Sequence, residues 1–411
     1  VAGATGTSIL ELRTGGPGSR ALDITAFVRK FVWYESLIAG GWSWELAFAA
    51  EQWPEWEPLL LGRDEPEVGR YFRLGAQSSG RDDPGITTDW RFAVVDGSSS
   101  AIKGTALLGH VTGGDRRLLL ASKARTRAWP ASTVAGILRQ IAAEYGISST
   151  IENTLGTRDR LQVRESDWTF IMRLGREAAS ASGRGDVFPF MDEERLLFGA
   201  PNLVAPSERR HDLAEVENRV ENTIVAYNGR TADRRGAGTL RGVGYDLDQQ
   251  APIVFEVDGQ AAQTHPSLAR RVPRPQEDAL RVLPVMEESA ALVEAQARSA
   301  WGRAAPRYFS LRLDTRPDLT LRPGKVVEVQ ATLDGRRDSP LFGRFVVLEV
   351  KHTMDGANLT TTIACFRREA FQGEEDPTGA SASSGGTRDR YRFGGDDRPR
   401  TVIRAEVIDA R

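Results

Sequence analysis

The chain has a single cysteine, Cys365, among its 411 residues. No intrachain disulfide can form, and a cysteine-rich zinc site is excluded. Histidine is nearly as scarce: His110, His211, His265 and His352 stand far apart, and no pair has the spacing of metal ligands. No charge of one sign dominates. Lys and Arg number 54 against 56 Asp and Glu, so no global basic excess exists to hold nucleic acid by counterion release. No run of about 18 apolar residues occurs, so no membrane-spanning helix is expected. Val1–Leu10 lacks the basic-then-apolar order of a secretory leader.

Catalytic motifs are missing as well. There is no G-x-S-x-G elbow, no Walker loop, no G-x-G-x-x-G after a strand and no H-E-x-x-H. His352 and Cys365 each fall inside a strand pattern and read as structural residues. Carboxylates are plentiful, but nothing pairs two of them in a cleft as a glycosidase requires. Arg184-Gly185-Asp186 is an adhesive tripeptide that chance explains in an Arg- and Gly-rich chain. These absences predict a protein that is not an enzyme, with no cofactor and no metal.

What is present is β-rich, with 40% apolar and 27% charged residues, as expected of a globular chain of two or three domains. Ser8–Arg13, Phe31–Ile38, Trp42–Phe48, Tyr71–Leu74, Trp90–Val95 and Leu118–Ala121 read as strands. Gly40-Gly41 marks a hairpin turn between the second and third. In Trp42–Phe48, Trp42, Trp44, Leu46 and Phe48 alternate with Ser43, Glu45 and Ala47, which gives one apolar face.

The period changes near Trp129-Pro130. Val134, Ile137, Leu138, Ile141 and Tyr145 recur at helical spacing, with Ser132 or Thr133 to cap the start and Gly146 to stop the end. A strand over Arg160–Arg164 leads to a second helix capped by Ser166, with Trp168, Ile171 and Met172 on one face. A strand pair, Val187–Met191 and Arg195–Phe198, follows. Strands then return at Glu221–Tyr227 and Pro252–Val257. Propensity predicts a helix over 278–301, and a meander follows over Tyr308–Leu313, Lys325–Thr332, Arg344–Thr353 and Asn358–Phe366. Within it Val346, Leu348 and Val350 alternate with Val347, Glu349 and Lys351. Gly373–Gly386 has linker composition, and Thr401–Ile408 is a β-prone tail suited to a partner's sheet edge or to a disordered terminus.

The expected fold class is α+β, mostly β. Residues 1–125 form a first β unit, 126–215 a small α/β unit, 216–370 a second β unit, and 371–411 a linker and tail. Five of the nine Trp residues, Trp33, Trp42, Trp44, Trp53 and Trp56, crowd into one stretch. Such a cluster is either a sugar-stacking platform or a buried core or subunit interface. The apolar company of Leu46 and Phe48 favours burial, and Trp33, Trp42, Trp44, Leu46 and Phe48 are interface candidates.

Three stretches resemble a known family. Thr133–Gly146 (TVAGILRQIAAEYG) followed by Leu161–Leu174 (LQVRESDWTFIMRL) is similar to the hub region of phage late control protein D and of the valine–glycine repeat spike proteins of type VI secretion. There, a helix ending in Tyr/His-Gly and a strand precede an E-S-D-x-x-F-I/L-x-R-L helix. The matching residues are Glu165, Ser166, Asp167, Phe170, Ile171, Arg173 and Leu174. Pro317–Phe366, with a turn from Pro317 to Gly324 and then GRFVVLEVKH over Gly343–His352, resembles the second tube-like barrel of the same hubs. The Gly40-Gly41 hairpin suits the long hairpin of tail-tube barrels. The resemblance implies two tail-tube-like β-barrels flanking the small α/β unit. It also implies a homotrimeric, pseudo-hexameric ring in the tail tip or baseplate of a virion or contractile injection machine. That ring would join a six-fold tube protein to a three-fold spike carried by a separate protein, and DNA would cross its lumen without specific binding. The alternative is a carbohydrate-binding or cell-wall-degrading tail protein acting through residues 33–56.

Overall fold

The computed structural model describes residues 7–13, 20–37, 41–49, 70–77, 86–88, 90–103, 106–178, 181, 188–192, 195–199, 210–213, 224–231, 237–246, 249–258, 276–284, 290–304, 309–331 and 343–367. The first part of the chain supplies β1 (Thr7–Arg13), β2 (Leu22–Asp23), β3 (Val28–Ser36), β4 (Gly41–Ala49), β5 (Arg70–Gln77), β6 (Ile86–Thr87), β7 (Arg91–Lys103) and β8 (Ala106–Gly114). A mixed unit follows: α1 (Arg117–Ala121), β9 (Ala124–Ser132), α2 (Val134–Glu144), β10 (Ser148–Ile151), β11 (Arg158–Ser166), α3 (Asp167–Glu177), β12 (Phe188–Asp192) and β13 (Arg195–Gly199). The rest holds β14 (Arg210–Leu213), β15 (Ile224–Thr231), β16 (Ala237–Asp246), β17 (Ala251–Asp258), β18 (Gln276–Pro284), α4 (Ala290–Ala304), β19 (Phe309–Thr315), β20 (Val326–Ala331), β21 (Gly343–Asp355) and β22 (Asn358–Arg367).

The two β-rich parts share one sheet. Its strand order is β15-β19-β22-β21-β3-β4-β8-β7-β5-β1-β2, and every pairing along the path is antiparallel. The seam lies between β21 and β3, in register from Glu349 opposite Ser36 to Asp355 opposite Lys30. Among the described residues this path does not close into a ring.

Each half has its own packing. Beyond β7 the path turns back, and Leu10, Leu12, Phe72 and Leu74 cover Phe31, Trp33, Trp44, Leu46 and Phe48. Leu319, Met354 and Leu359 from the second half join that core, so the seam is a shared interior. Two glycines of β8 make room for the rings. A Cβ on Gly109 would collide with Phe48, and one on Gly113 with Trp44 and the Val94 carbonyl. The second half is aliphatic: Leu311, Leu313, Val327, Val329, Val347, Val350, Ile363 and Cys365 pack with Phe345.

Several expectations change. Leu118–Ala121 is helical in α1, because the Asp115 carboxylate accepts the Arg117 N–H at 2.8 Å and starts a turn. The helix expected over 278–301 is a strand over 276–284 and a helix over 290–304. Pro284 cannot sit inside a helix, and the residues before it pair in parallel with β16. The alternation in β21 is broken where Leu348 forms a bulge between Val347 and Glu349. Val346 and Leu348 therefore pack with Val326 and Phe366, whereas Val347 and Val350 face the main core. On α3 the large apolar side chains that are fully buried are Phe170, Ile171 and Leu174, while Trp168 and Met172 are only partly covered.

The three-stranded sheet β17-β16-β18 had only its edge strand β17 expected. It packs under α4, where Gly242 lies against Ala297 and Val293. The expected linker, the tail, Gly40, Trp53 and Trp56 lie outside the described residues.

Candidate functional site

Three places concentrate polar chemistry. The first is the seam. Glu35 is buried on β3 and receives Trp33 Nε1–H at 3.1 Å, with Arg91 Nη2 at 3.4 Å and Arg322 Nη1 at 3.9 Å. Beside them His352 is fully buried, with its ring edge-on to Trp33 at 6.2 Å. Thr361 Oγ1 accepts the Asp318 N–H at 3.1 Å and lies 2.9 Å from His352 Nδ1. His352 Nε2 is buried with no hydrogen-bond partner among the described residues. Burial, then the Arg322 and Arg91 charges, lower the His352 pKa to about 3. The imidazole is therefore neutral in the fold. Burial alone raises the Cys365 thiol, which bonds the Leu311 carbonyl and is no nucleophile.

The second place is the opposite, polar face of the same sheet. Side chains alternate across a strand, so every core residue has an outward neighbour. Tyr34, Glu45, Asp96, Arg312, Glu349 and Lys351 line a concavity of about 550 Å³ that extends from β19 to β7. Its charges are mixed, three acidic against two basic, and His110 Nε2 sits 3.0 Å from Glu45 Oε1 on the same face. Burial, followed by hydrogen bonding to Glu349, raises the Tyr34 phenol, so it stays neutral.

The third is the motif region of the small unit. Glu165 receives Arg173 Nη2 at 2.6 Å, and Arg173 also donates to the Leu161 carbonyl at 2.7 Å. Ser166 caps α3 by accepting the Thr169 N–H at 3.2 Å. Asp167 is fully buried; Tyr145 Oη donates to it at 2.6 Å, Gln162 at 2.8 Å, and Arg127 also donates. Burial and the bond to Asp167 push the Tyr145 pKa up to about 12. Glu144 closes the network by accepting from Arg125 at 2.9 Å and Arg127 at 2.7 Å. Phe170, Ile171 and Leu174 fill the core beneath. Every motif residue therefore caps, bridges or packs, and the Tyr-Gly ending of α2 supplies the phenol. Tyr145 and Gly146 belong to the motif read in the sequence; Arg125, Arg127 and Gln162 had no local signal.

The interface candidates divide. Trp33, Trp44, Leu46 and Phe48 point into the core of their own chain, with Trp33 0% and Trp44 2% exposed. Neither tryptophan stands in a displayed row that could stack on a sugar. Trp42 lies on β4 opposite Glu35 in the register, and its side chain is outside the described set. Among the described residues no group of three or more His, Cys, Asp and Glu could hold a metal ion. None of the described helices is long and apolar enough to cross a membrane.

No protein-family model matches the sequence, and no curated protein matches it. Solved structures do. A tail protein from Neisseria meningitidis MC58 aligns over 89% of this chain and 100% of its own, with a TM-score of 0.61 and 11% identity. The 43 kDa tail protein of prophage MuSo2 from Shewanella oneidensis aligns over 88% and 99%, with a TM-score of 0.56 and 14% identity. A chain of the Francisella PdpA–VgrG complex aligns over 89% of this chain and 58% of its own, with a TM-score of 0.51 and 10% identity. The fold is that of these phage tail proteins, and the VgrG complex shares it. The resemblance to phage tail and type VI secretion spike proteins read in the sequence holds at the level of the fold.

Proposed function

We propose that the chain is a structural, non-enzymatic hub of a tail tip. Three copies form a pseudo-hexameric ring that joins a tail tube to a separate spike and lines the channel between them. The observation that carries this reading is the parity of the continuous sheet. From β15 to β7 it has eight strands, all antiparallel, so its two end strands run in opposite directions. Among the described residues β15 pairs only with β19, and β7 beyond Ala93 only with β8. Free edges of this kind are normally covered. Joining β7 of one copy to β15 of the next continues the antiparallel order without a break, as a closed head-to-tail ring requires.

The dimensions favour three copies. At about 4.8 Å per strand and about 40° of tilt, about 24 strands close at about 48 Å between backbones, against about 32 Å for two copies. Side chains take about 5 Å from each wall, and the wider ring passes a nucleic-acid duplex freely. Its wall would be the polar face, where Glu45, Asp96 and Glu349 offset Arg312 and Lys351. A mixed wall of that kind offers a phosphate backbone no continuous basic track to bind. In this reading the two β-rich halves are the tube-like barrels and each supplies half of a copy's wall. The localisation that follows is the tail tip of a virion or injection machine.

Native mass spectrometry with light scattering tests the assembly. A mass of three chains that persists on dilution is expected, and a concentration-independent monomer would refute the ring.

A further inference from the structure

The sheet from β15 to β7 is one four-stranded unit written twice. Its order reads β15-β19-β22-β21 and then β3-β4-β8-β7. Irregularities in the pairing show that the two sets correspond strand for strand. β7 and β8 end in a hairpin with Lys103 opposite Ala106, and β21 and β22 in one with Asp355 opposite Asn358. Counted back from those ends, the shift between Val95 and Gly97 and the shift between Val347 and Glu349 fall at the same place. Followed across the ladders, that alignment carries Val28 onto Ile224. There a second irregularity agrees: β3 shifts on β4 between Val28 and Lys30, and β15 on β19 between Ile224 and Ala226. A bulge is a fixed feature of a strand's shape, and two in matching positions fix the equivalence of residues. Ala101 corresponds to Thr353, Ile102 to Met354, Phe31 to Tyr227 and Val32 to Asn228.

The two units meet at the seam of β21 on β3, where Thr353 stands opposite Val32 and Met354 opposite Phe31. The equivalents of β21 and β3 at the far ends of the sheet are β7 and β15, the edges that the ring reading joins between copies. The seam shows what such a junction buries. Met354 is 0% exposed and shares a core with Phe31. Ile102, at the same place in the other unit, is 78% exposed. It stands on a strand with the register and bulge of β21, yet the single chain leaves it in water. We infer that the junction between copies repeats the seam residue for residue: β7 pairs with β15 of the next copy from Ser98 opposite Thr231 to Lys103 opposite Ala226, with Ile102 opposite Tyr227 and Ala101 opposite Asn228. A ring built this way turns by one angle at every joint, within a chain or between chains, and closes without strain at alternate joints. The inference rests on the ring reading and adds to it a register, which the strand count leaves open.

Disulfide trapping tests the register. Chains carrying both Ala101→Cys and Asn228→Cys are oxidised; the native Cys365 is buried and inert. Residues directly opposite in an antiparallel pair stand within disulfide reach, and a slip of two residues exceeds it. β7 and β15 lie at opposite ends of one chain's sheet, so the bonds form between copies. Covalent species of two and three chains are expected, formed about ten-fold faster than with Ser99→Cys or Lys103→Cys in place of Ala101→Cys. No bond, or a faster bond in either slipped pair, in a sample whose mass shows three chains would overturn the register and leave the ring standing. Single chains at every concentration would overturn both. Ile102→Asp is read separately. It should raise the concentration at which the assembly dissociates by about ten-fold or more, while the thermal unfolding of the single chain stays unchanged. Undiminished assembly would remove Ile102 from the junction.

Discussion

The two halves of the long sheet solve one packing problem in different ways. The first stacks aromatics: Trp44 meets Phe72 at 4.9 Å, Phe31 meets Phe72 at 5.5 Å, and Gly109 and Gly113 give way beneath Phe48 and Trp44. The second interleaves Leu, Val and Ile at ordinary strand spacing. A ring seated over a glycine is a fixed pair in which neither member can change alone. An aliphatic layer can redistribute volume among neighbours. The first half should therefore be rigid and unforgiving, and the second adaptable.

The strongest test of that contrast sets Trp44→Ala against Leu313→Met. Denaturant titration should show the first losing about 3–5 kcal/mol and the second under about 1.5 kcal/mol. Equal losses would erase the distinction. A middle-sized effect sits at the seam where the halves meet. His352 takes up a proton at its ordinary value when unfolded and only near pH 3 when folded. The unfolded state therefore binds more protons between those limits, and stability falls as pH drops from about 6.5 towards 3. One histidine contributes a slope of about 1.4 kcal/mol per pH unit there. His352→Gln should flatten the acid limb of the stability curve by that amount, and an unchanged limb would show that the seam does not exclude the proton. The smallest effect belongs to neither half. Ser166→Ala removes the α3 cap and should cost about 1 kcal/mol in thermal or denaturant unfolding. It should leave the seam's acid response as it was.

The same contrast explains what the sequence revealed. The second half was legible as a meander because Val, Leu and Ile alternate cleanly between Gly, Pro and Asp stops. Only the bulge at Leu348 hid which face Val346 and Val347 take. In the first half the hairpin was legible from Trp42–Phe48, but β8 was not. It carries Gly109, Gly113 and Gly114 where an apolar alternation would show a strand, and two of them seat rings across the sheet. Gly242 and Gly244 masked β16 in the same way, with α4 lying over Gly242. At the motif, the cap at Ser166 is a local signal and was visible. Two partners of Asp167, Arg127 on β9 and Tyr145 just after α2, come from other elements, and no local spacing announces them. The pairing of β3 with β21 joins residues more than three hundred positions apart, and its buried Glu35 and Arg91 carry no pattern at all.

That seam also bears on assembly. In a ring of three such chains, half of the junctions between tube-like units are closed while each polypeptide folds, at an effective concentration fixed by the chain itself. Only the other half depend on collisions between molecules. Completing the ring is then a third-order problem in protein concentration, where six separate subunits would face a sixth-order one. In such a ring, a single fold-encoded junction would let a scarce component close a full circle at dilutions that would leave six independent pieces apart.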